Sequence, residues 1–322
     1  GTNNVAVGKD SLYSNTTASN NTAVGYQSAY SNTTGGQNTA IGYQSLLDAT
    51  TALYNTAVGY QAGSNITTGN ANTAVGRMAF LTNTTGLSNS AIGNEALYSN
   101  TTGNKNAALG HYALYSNTTA SYNTAVGHQS LYDNTTGTGN NALGYQALAN
   151  NTTANYNTAF GHVALSLNVT GTENTAVGSQ AMYNNTGNNN TAMGGTALYA
   201  NTSGANNVAM GVQALRYNTT ASNNTAVGYQ SLYANTTGTR NNSLGYLSLN
   251  TNITGSDNTA MGYLALRYNT ANTNTAYGSY ALTSNTTASN NTAVGYQAVY
   301  SNTTGIANVG LGAYALQLNT TG

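Results

Sequence analysis

Apolar and polar positions fall in short blocks that repeat along the chain, with neither the period of a long helix nor that of an isolated strand. One phrase carries the pattern, NNTAVGYQSLYANTTGTR at Asn223–Arg240, and it recurs from end to end. A repeat of this kind changes what every residue means, so its register comes first. Counting seventeen places from Asn224 as place one, place four is always apolar or aromatic (Val24, Ile41, Val58, Leu109, Phe160, Tyr277). Place nine is nearly always large and apolar, from Leu12 to Leu316, with Ala29 and Gly63 as gaps. Place three is Ala except at Ser243 and Gly310, place eight is only Ala or Ser, and place fifteen is only Gly or Ala. Because Ala is accepted at place fifteen, the requirement there is small size rather than positive φ.

Place five is glycine throughout, as at Gly25, Gly42, Gly59 and Gly228. Nineteen such glycines step by seventeen residues, except from Gly178 to Gly194 and from Gly262 to Gly278, where the step is sixteen. Both shortened repeats lose their residue in the polar stretch, at Asn185-Thr186-Gly187 and Asn269-Thr270-Ala271. Loops tolerate length change best, so that stretch is read as the loop of each coil.

The pattern predicts two short strands per coil, about places one to five and seven to ten, with the glycine as the corner between them. Successive strand residues face opposite ways. Both members of the pairs Ala226/Val227 and Ser231/Leu232 are restricted, so both faces of each strand are expected to be buried. Val227 and Leu232 would fill the coil interior, while Ala226 and Ser231 would line a face that another chain approaches closely. A helical turn over places six to eleven is the rival, since His111–Ser116 and Asn94–Ser99 contain good helix formers. Six residues are marginal for a helix alone.

Asn stands at place one in every repeat (Asn21, Asn38, Asn55, Asn72, Asn224). It also fills place twelve (Asn32, Asn83, Asn100) in all repeats but two, which carry Ala49 and Ile66. In coils stacked at about 4.8 Å, like amides bond up and down as ladders and satisfy corner backbone groups. The fold expected is therefore all-β: residues 1–322 as a single repeat array, a parallel β-solenoid or β-roll of about nineteen 17-residue coils. At that spacing it is a rod about 90 Å long.

Composition narrows the function classes. Charged residues are 4% of the chain and the net charge is zero, which removes the electrostatic case for nucleic acid or an anionic membrane. The charges that exist avoid the core places: Lys9, Asp10, Arg77 and Glu95 fall on places six and seven, and Asp48, Asp133, Arg216 and Arg267 on ten and eleven. Hydrophobic residues at 39% argue for packing rather than disorder. No apolar run approaches a membrane span. The absence of Cys excludes disulfides and thiol chemistry. The chain opens on Gly1, and Gly1 and Gly322 share one phase, so it is expected to be a window of a longer fibre, its caps lying elsewhere.

Asn21-Thr22-Ala23-Val24-Gly25 and Asn38-Thr39-Ala40-Ile41-Gly42 resemble the N-S-V-A-I-G motif of trimeric autotransporter adhesin heads. The fuller phrase is similar to repeats of phage tail-fibre and large bacterial surface proteins. The resemblance covers the whole chain, although the seventeen-residue period is longer than that family's usual one. It implies a left-handed β-roll, usually of three chains, in the stalk or head of an extracellular fibre.

Candidate chemistry is sparse. His111, His128 and His162 share place six, but without a second ligand type no metal site is expected. No catalytic constellation or cofactor motif emerges. Tyrosine is the suggestive surface feature, at place six (Tyr26, Tyr43, Tyr60, Tyr229, Tyr246, Tyr263) and place ten (Tyr13, Tyr30, Tyr98, Tyr115, Tyr132). These rings read as stacked stabilising ladders or as an adhesive stripe for glycans. Asn15, Asn32, Asn83 and Asn100 each open an Asn-Thr-Thr sequon for N-glycosylation, or else belong to a coil-corner ladder. The expectation is a structural fibre segment that partners itself, as a trimer by preference. A binding module is the alternative, for glycans through Tyr or for ice through Thr. Thr236 and Thr237 are adjacent and should point apart, which weakens the ice reading.

Overall fold

Each coil contributes one strand of three residues at places two to four, nineteen among the described residues, from Val5–Val7 to Val309–Leu311. The computed structural model describes residues 1–321, and no helix occurs among them; Gly322, which shares the phase of Gly1, lies outside the described residues. The chain falls into two units, Gly1–Ala159 and Phe160–Gly322. Within each, successive strands run parallel and in register, with Ala23 beside Ala40 in the first and Ala226 beside Ser243 in the second. The architecture is a parallel β-solenoid with a 17-residue turn. The shortened coils keep this register, since Thr175 pairs with Thr191 and Thr259 with Thr275.

The strand presents its faces the other way round from the sequence expectation. Ala226 is fully buried inside its own coil, and Val227 faces outward and is half-exposed. Leu232 is buried as expected, but Ser231 lies beside it in the interior, so neither Ala226 nor Ser231 is offered to another chain. The reason is space. Places three, nine and twelve converge: a Cβ added to Gly63 at place nine would lie 3.0 Å from Ile66, 3.3 Å from Leu46 and 3.7 Å from Ala57. A leucine at place nine fills that volume and leaves room for only a methyl at place three.

The second expected strand is absent, and so is the rival helical turn. Places seven and nine carry positive φ in every coil, for example Gln129 at 55° and Leu131 at 50°. Two left-handed residues separated by one undo the in–out alternation of a strand, which is why Ser130 and Leu131 are both buried. The backbone still bonds between coils, in alternating directions. Gln129 N–H donates to the His111 carbonyl of the preceding coil (3.0 Å), and Leu131 N–H to the Ala147 carbonyl of the next (3.0 Å). A left-handed leucine costs about 1–2 kcal/mol, and full burial of its side chain, about 1.5–3 kcal/mol, offsets this.

Glycine at place five is required by both conformation and contact. Gly59 has φ 137°, and a Cβ there would sit 2.5 Å from the carbonyl oxygen of Gly76 one coil on. At place fifteen the small-size reading holds, since Ala18 and Ala52 occupy it while buried.

Candidate functional site

The two asparagine rows meet at one carbonyl per coil. At place one, Asn55 accepts the backbone N–H of Asn72 on its Oδ1 (2.9 Å), and its Nδ2 donates across the coil to the Gly69 carbonyl (2.9 Å). At place twelve, Asn100 Nδ2 donates to Asn83 Oδ1 (2.9 Å) and to the Gly103 carbonyl (3.1 Å), while its own Oδ1 accepts from Asn117 Nδ2 (2.8 Å). Asn89 at place one donates to that same Gly103 carbonyl (2.9 Å). Where place twelve is Asn, as here, the place-fifteen carbonyl takes two amide N–H groups, closing the coil, and the amide oxygens join coil to coil; Ala52 and Gly69, whose coils carry Ala49 and Ile66, take one. Asn21, Asn38 and Asn224 repeat the place-one arrangement. Asn32 and Asn83 repeat the place-twelve bond to their own carbonyls.

Some exceptions are compensated locally and others leave a buried amide oxygen unpaired, as at Asn252 Oδ1 before the shortened coil of Asn269. Ala49 interrupts the place-twelve row and leaves Asn32 Oδ1 buried without a partner. Ile66 interrupts it one coil on, where place nine is Gly63, and the isoleucine occupies the volume a leucine fills elsewhere. Ser243, the sole serine at place three, meets Ser231 Oγ (2.8 Å) and Ser248 Oγ (2.6 Å) in a buried hydroxyl cluster. In the shortened coils Asn185 and Asn269 reach the Gly187 and Ala271 carbonyls (2.8 Å each) across one residue fewer.

The sequon nitrogens are these same ladder donors. Asn32, Asn83 and Asn100 are buried, and Asn15 Nδ2 donates to the Ala18 carbonyl (3.3 Å). In the folded coil Asn32, Asn83 and Asn100 are closed off from solvent, while Asn15 is half-buried. At the loop, Thr236 turns its hydroxyl to the Ile253 carbonyl (3.1 Å) while Thr237 is exposed.

The tyrosines form ladders at both places. Tyr26, Tyr43 and Tyr60 stack with centroids 5.2 and 5.1 Å apart, and Tyr229, Tyr246 and Tyr263 at 5.4 and 5.3 Å. Tyr13 stacks on Tyr30 (5.1 Å), and Tyr98, Tyr115 and Tyr132 stack at 5.1 and 5.3 Å. Near-parallel rings at one-coil spacing use their faces on one another and turn edges and hydroxyls to solvent. A pyranose needs a free ring face, which only a ladder's end offers. Burial pushes the Tyr115 hydroxyl pKa up, with Glu95 and the neighbouring rings adding to it.

His111 lies edge-on to His128 (5.2 Å) and stacks on Tyr112 (3.8 Å). Among the described residues no three His, Cys, Asp or Glu side chains gather as a metal site, and no helix is long and apolar enough to cross a membrane. Two ion pairs bridge adjacent coils, Arg77–Glu95 (2.6 Å) and the bidentate Arg240–Asp257 (2.6 and 2.8 Å). Sequence reasoning missed the Arg240–Asp257 pair, although both stand at place seventeen one coil apart, a spacing that could have found it. The row that sequence reasoning placed inside, place four, is the main apolar surface: Leu109, Leu143 and Leu244 are 47%, 50% and 46% exposed.

No protein-family model, no curated protein and no solved structure matches this chain.

Proposed function

We propose that this chain is a structural, non-catalytic segment of an extracellular fibre (filament, adhesin stalk or tail-fibre shaft) that associates with its own kind. The observation that supports the reading is the double asparagine closure, repeated within each unit wherever place twelve is Asn and kept in the shortened coils, which ties each such coil to its own loop. A chain so built holds whatever it carries at a distance and resists extension along its stack. Immunogold labelling of the intact source particle or cell with antibody to this chain tests the assignment. Labelled filaments on the outside are expected; label confined to the interior after lysis overturns it. The binding-module reading draws on Tyr60, the exposed end of its ladder. A glycan array decides it, with saturable binding lost on Tyr60→Ala as the result in its favour.

A further inference from the structure

We infer that the outward sheet face formed by places two and four is a contact surface for a second copy of this chain, packed face to face with the coil axes aligned. The inference rests on the fibre reading and adds where the copies meet.

Three observations carry it. The first is extent. In the first unit Ile41, Ile92, Leu109 and Leu143 stand in one row at 38–50% exposure. At that exposure each leaves on the order of 70 Å² of surface to water; Val7 is as exposed and the four valines between are half-buried, so the row of nine leaves about 500 Å², in the upper range for a monomer's largest patch. The flanking threonine row brings the face near the roughly 800 Å² per partner of a standard interface. The second is charge: no Asp, Glu, Lys or Arg stands at place two or four anywhere in the chain. A face-to-face contact would have to strip water from any charge on this face, at a cost, and the face has none. The third is period. In-register strands repeat the row about every 4.8 Å. A partner that seats side chains between successive rows over many coils must have the same rise, and another copy of the chain has it. The second unit shows such a seat, an apolar hollow of about 370 Å³ lined by Thr225, Asn242, Ser243, Leu244, Thr259 and Met261. Its size admits a large apolar side chain from a facing row. Sheets packed this way lie about 10 Å apart with interdigitated side chains.

The test is sedimentation of the full chain over a hundredfold concentration range. It compares wild type, Ile92→Lys with Leu109→Lys, and the control Tyr54→Lys with Tyr122→Lys, two exposed loop tyrosines at place seventeen, off the strand face. The face variant is expected to weaken self-association at least tenfold, and the control to leave it unchanged. Far-UV circular dichroism establishes that each is folded. Should the lysine pair unfold, Ile92→Thr with Leu109→Thr keeps strand propensity and serves in its place. A wild type that stays monomeric throughout overturns the inference, including one that instead sediments with phosphatidylcholine vesicles. So does association that survives the face variant, or that both pairs weaken alike. None of these outcomes bears on where the fibre is displayed, which the antibody labelling decides separately.

Discussion

Replacing Asn100 by alanine removes three hydrogen bonds at once: those to Asn83 Oδ1 and the Gly103 carbonyl, and the one accepted from Asn117. The losses are unequal. Gly103 keeps the Asn89 amide, and Asn83 Oδ1 keeps the Gly86 N–H. Asn117 Nδ2 keeps one bond, to the Ala120 carbonyl, and is left with one N–H buried and unpaired. Three bonds at about 1 kcal/mol net each, plus about 1–3 kcal/mol for the stranded N–H, give a local loss of about 4–6 kcal/mol. Stacked arrays open locally, so a single unfolding midpoint is the wrong readout. Backbone hydrogen exchange is the right one: protection at Thr101, Thr118 and neighbouring amides should fall about a thousandfold, while coils distant in the same unit stay unchanged. The break at Ala49 shows that the stack survives one gap. A fall in protection of less than tenfold would refute the claim that these amides hold the coil closed, and would return the stability to the leucine row.

Four further outcomes follow from the geometry. Gly59→Ala forces a Cβ against the Gly76 carbonyl at φ 137° and should cost about 3 kcal/mol or more, read as loss of exchange protection in both coils. Ile66→Ala opens the volume left by Gly63 and should cost about 2–4 kcal/mol, whereas Ile66→Asn with Gly63→Leu restores the usual coil and should recover most of it. Burial raises the carboxyl pKa of Asp48 and Asp133, so the fold favours their protonated forms. Stability from these groups is present below the unfolded value of 3.8 and declines as pH rises through it toward the folded value. Asp48→Asn with Asp133→Asn should therefore raise exchange protection in their own coils over wild type at pH 7 and leave it alike at pH 3. The hydrogen bond from Arg240 lowers the pKa of Asp257, so this pair contributes above about pH 4 and loses its contribution as pH falls through the depressed value. Being exposed, it should be nearly silent in 0.5 M salt.

The period, the parallel register, the loop that absorbs deletions and both asparagine rows were legible because each is a repetition, and repetition survives ignorance of local geometry. The inward and outward faces were not. Alternation holds only where φ stays negative, and nothing in the residue types of Gln129 and Leu131 announces a left-handed backbone. Leucine is among the least expected residues there; it is selected for what it fills, not for the dihedral it adopts. Once Ser130 and Leu131 both point inward, the interior has no room for Val126, and the apolar row moves to the surface. Tyrosine stacking was readable from spacing, but whether ring faces were free for a ligand depended on the 5.1–5.5 Å separations.

The two shortened coils show how tolerant this construction is of editing. Dropping a residue from an α-helix swings everything beyond it through about 100°. Here Asn185 and Asn269 still reach the carbonyl that shuts the loop, and the following strand returns to its rail, Thr175 facing Thr191 and Thr259 facing Thr275. Phase is reset once per turn, so copying errors do not accumulate, and a gene encoding such a coil can gain or lose whole turns, or single loop codons, without scrambling its neighbours.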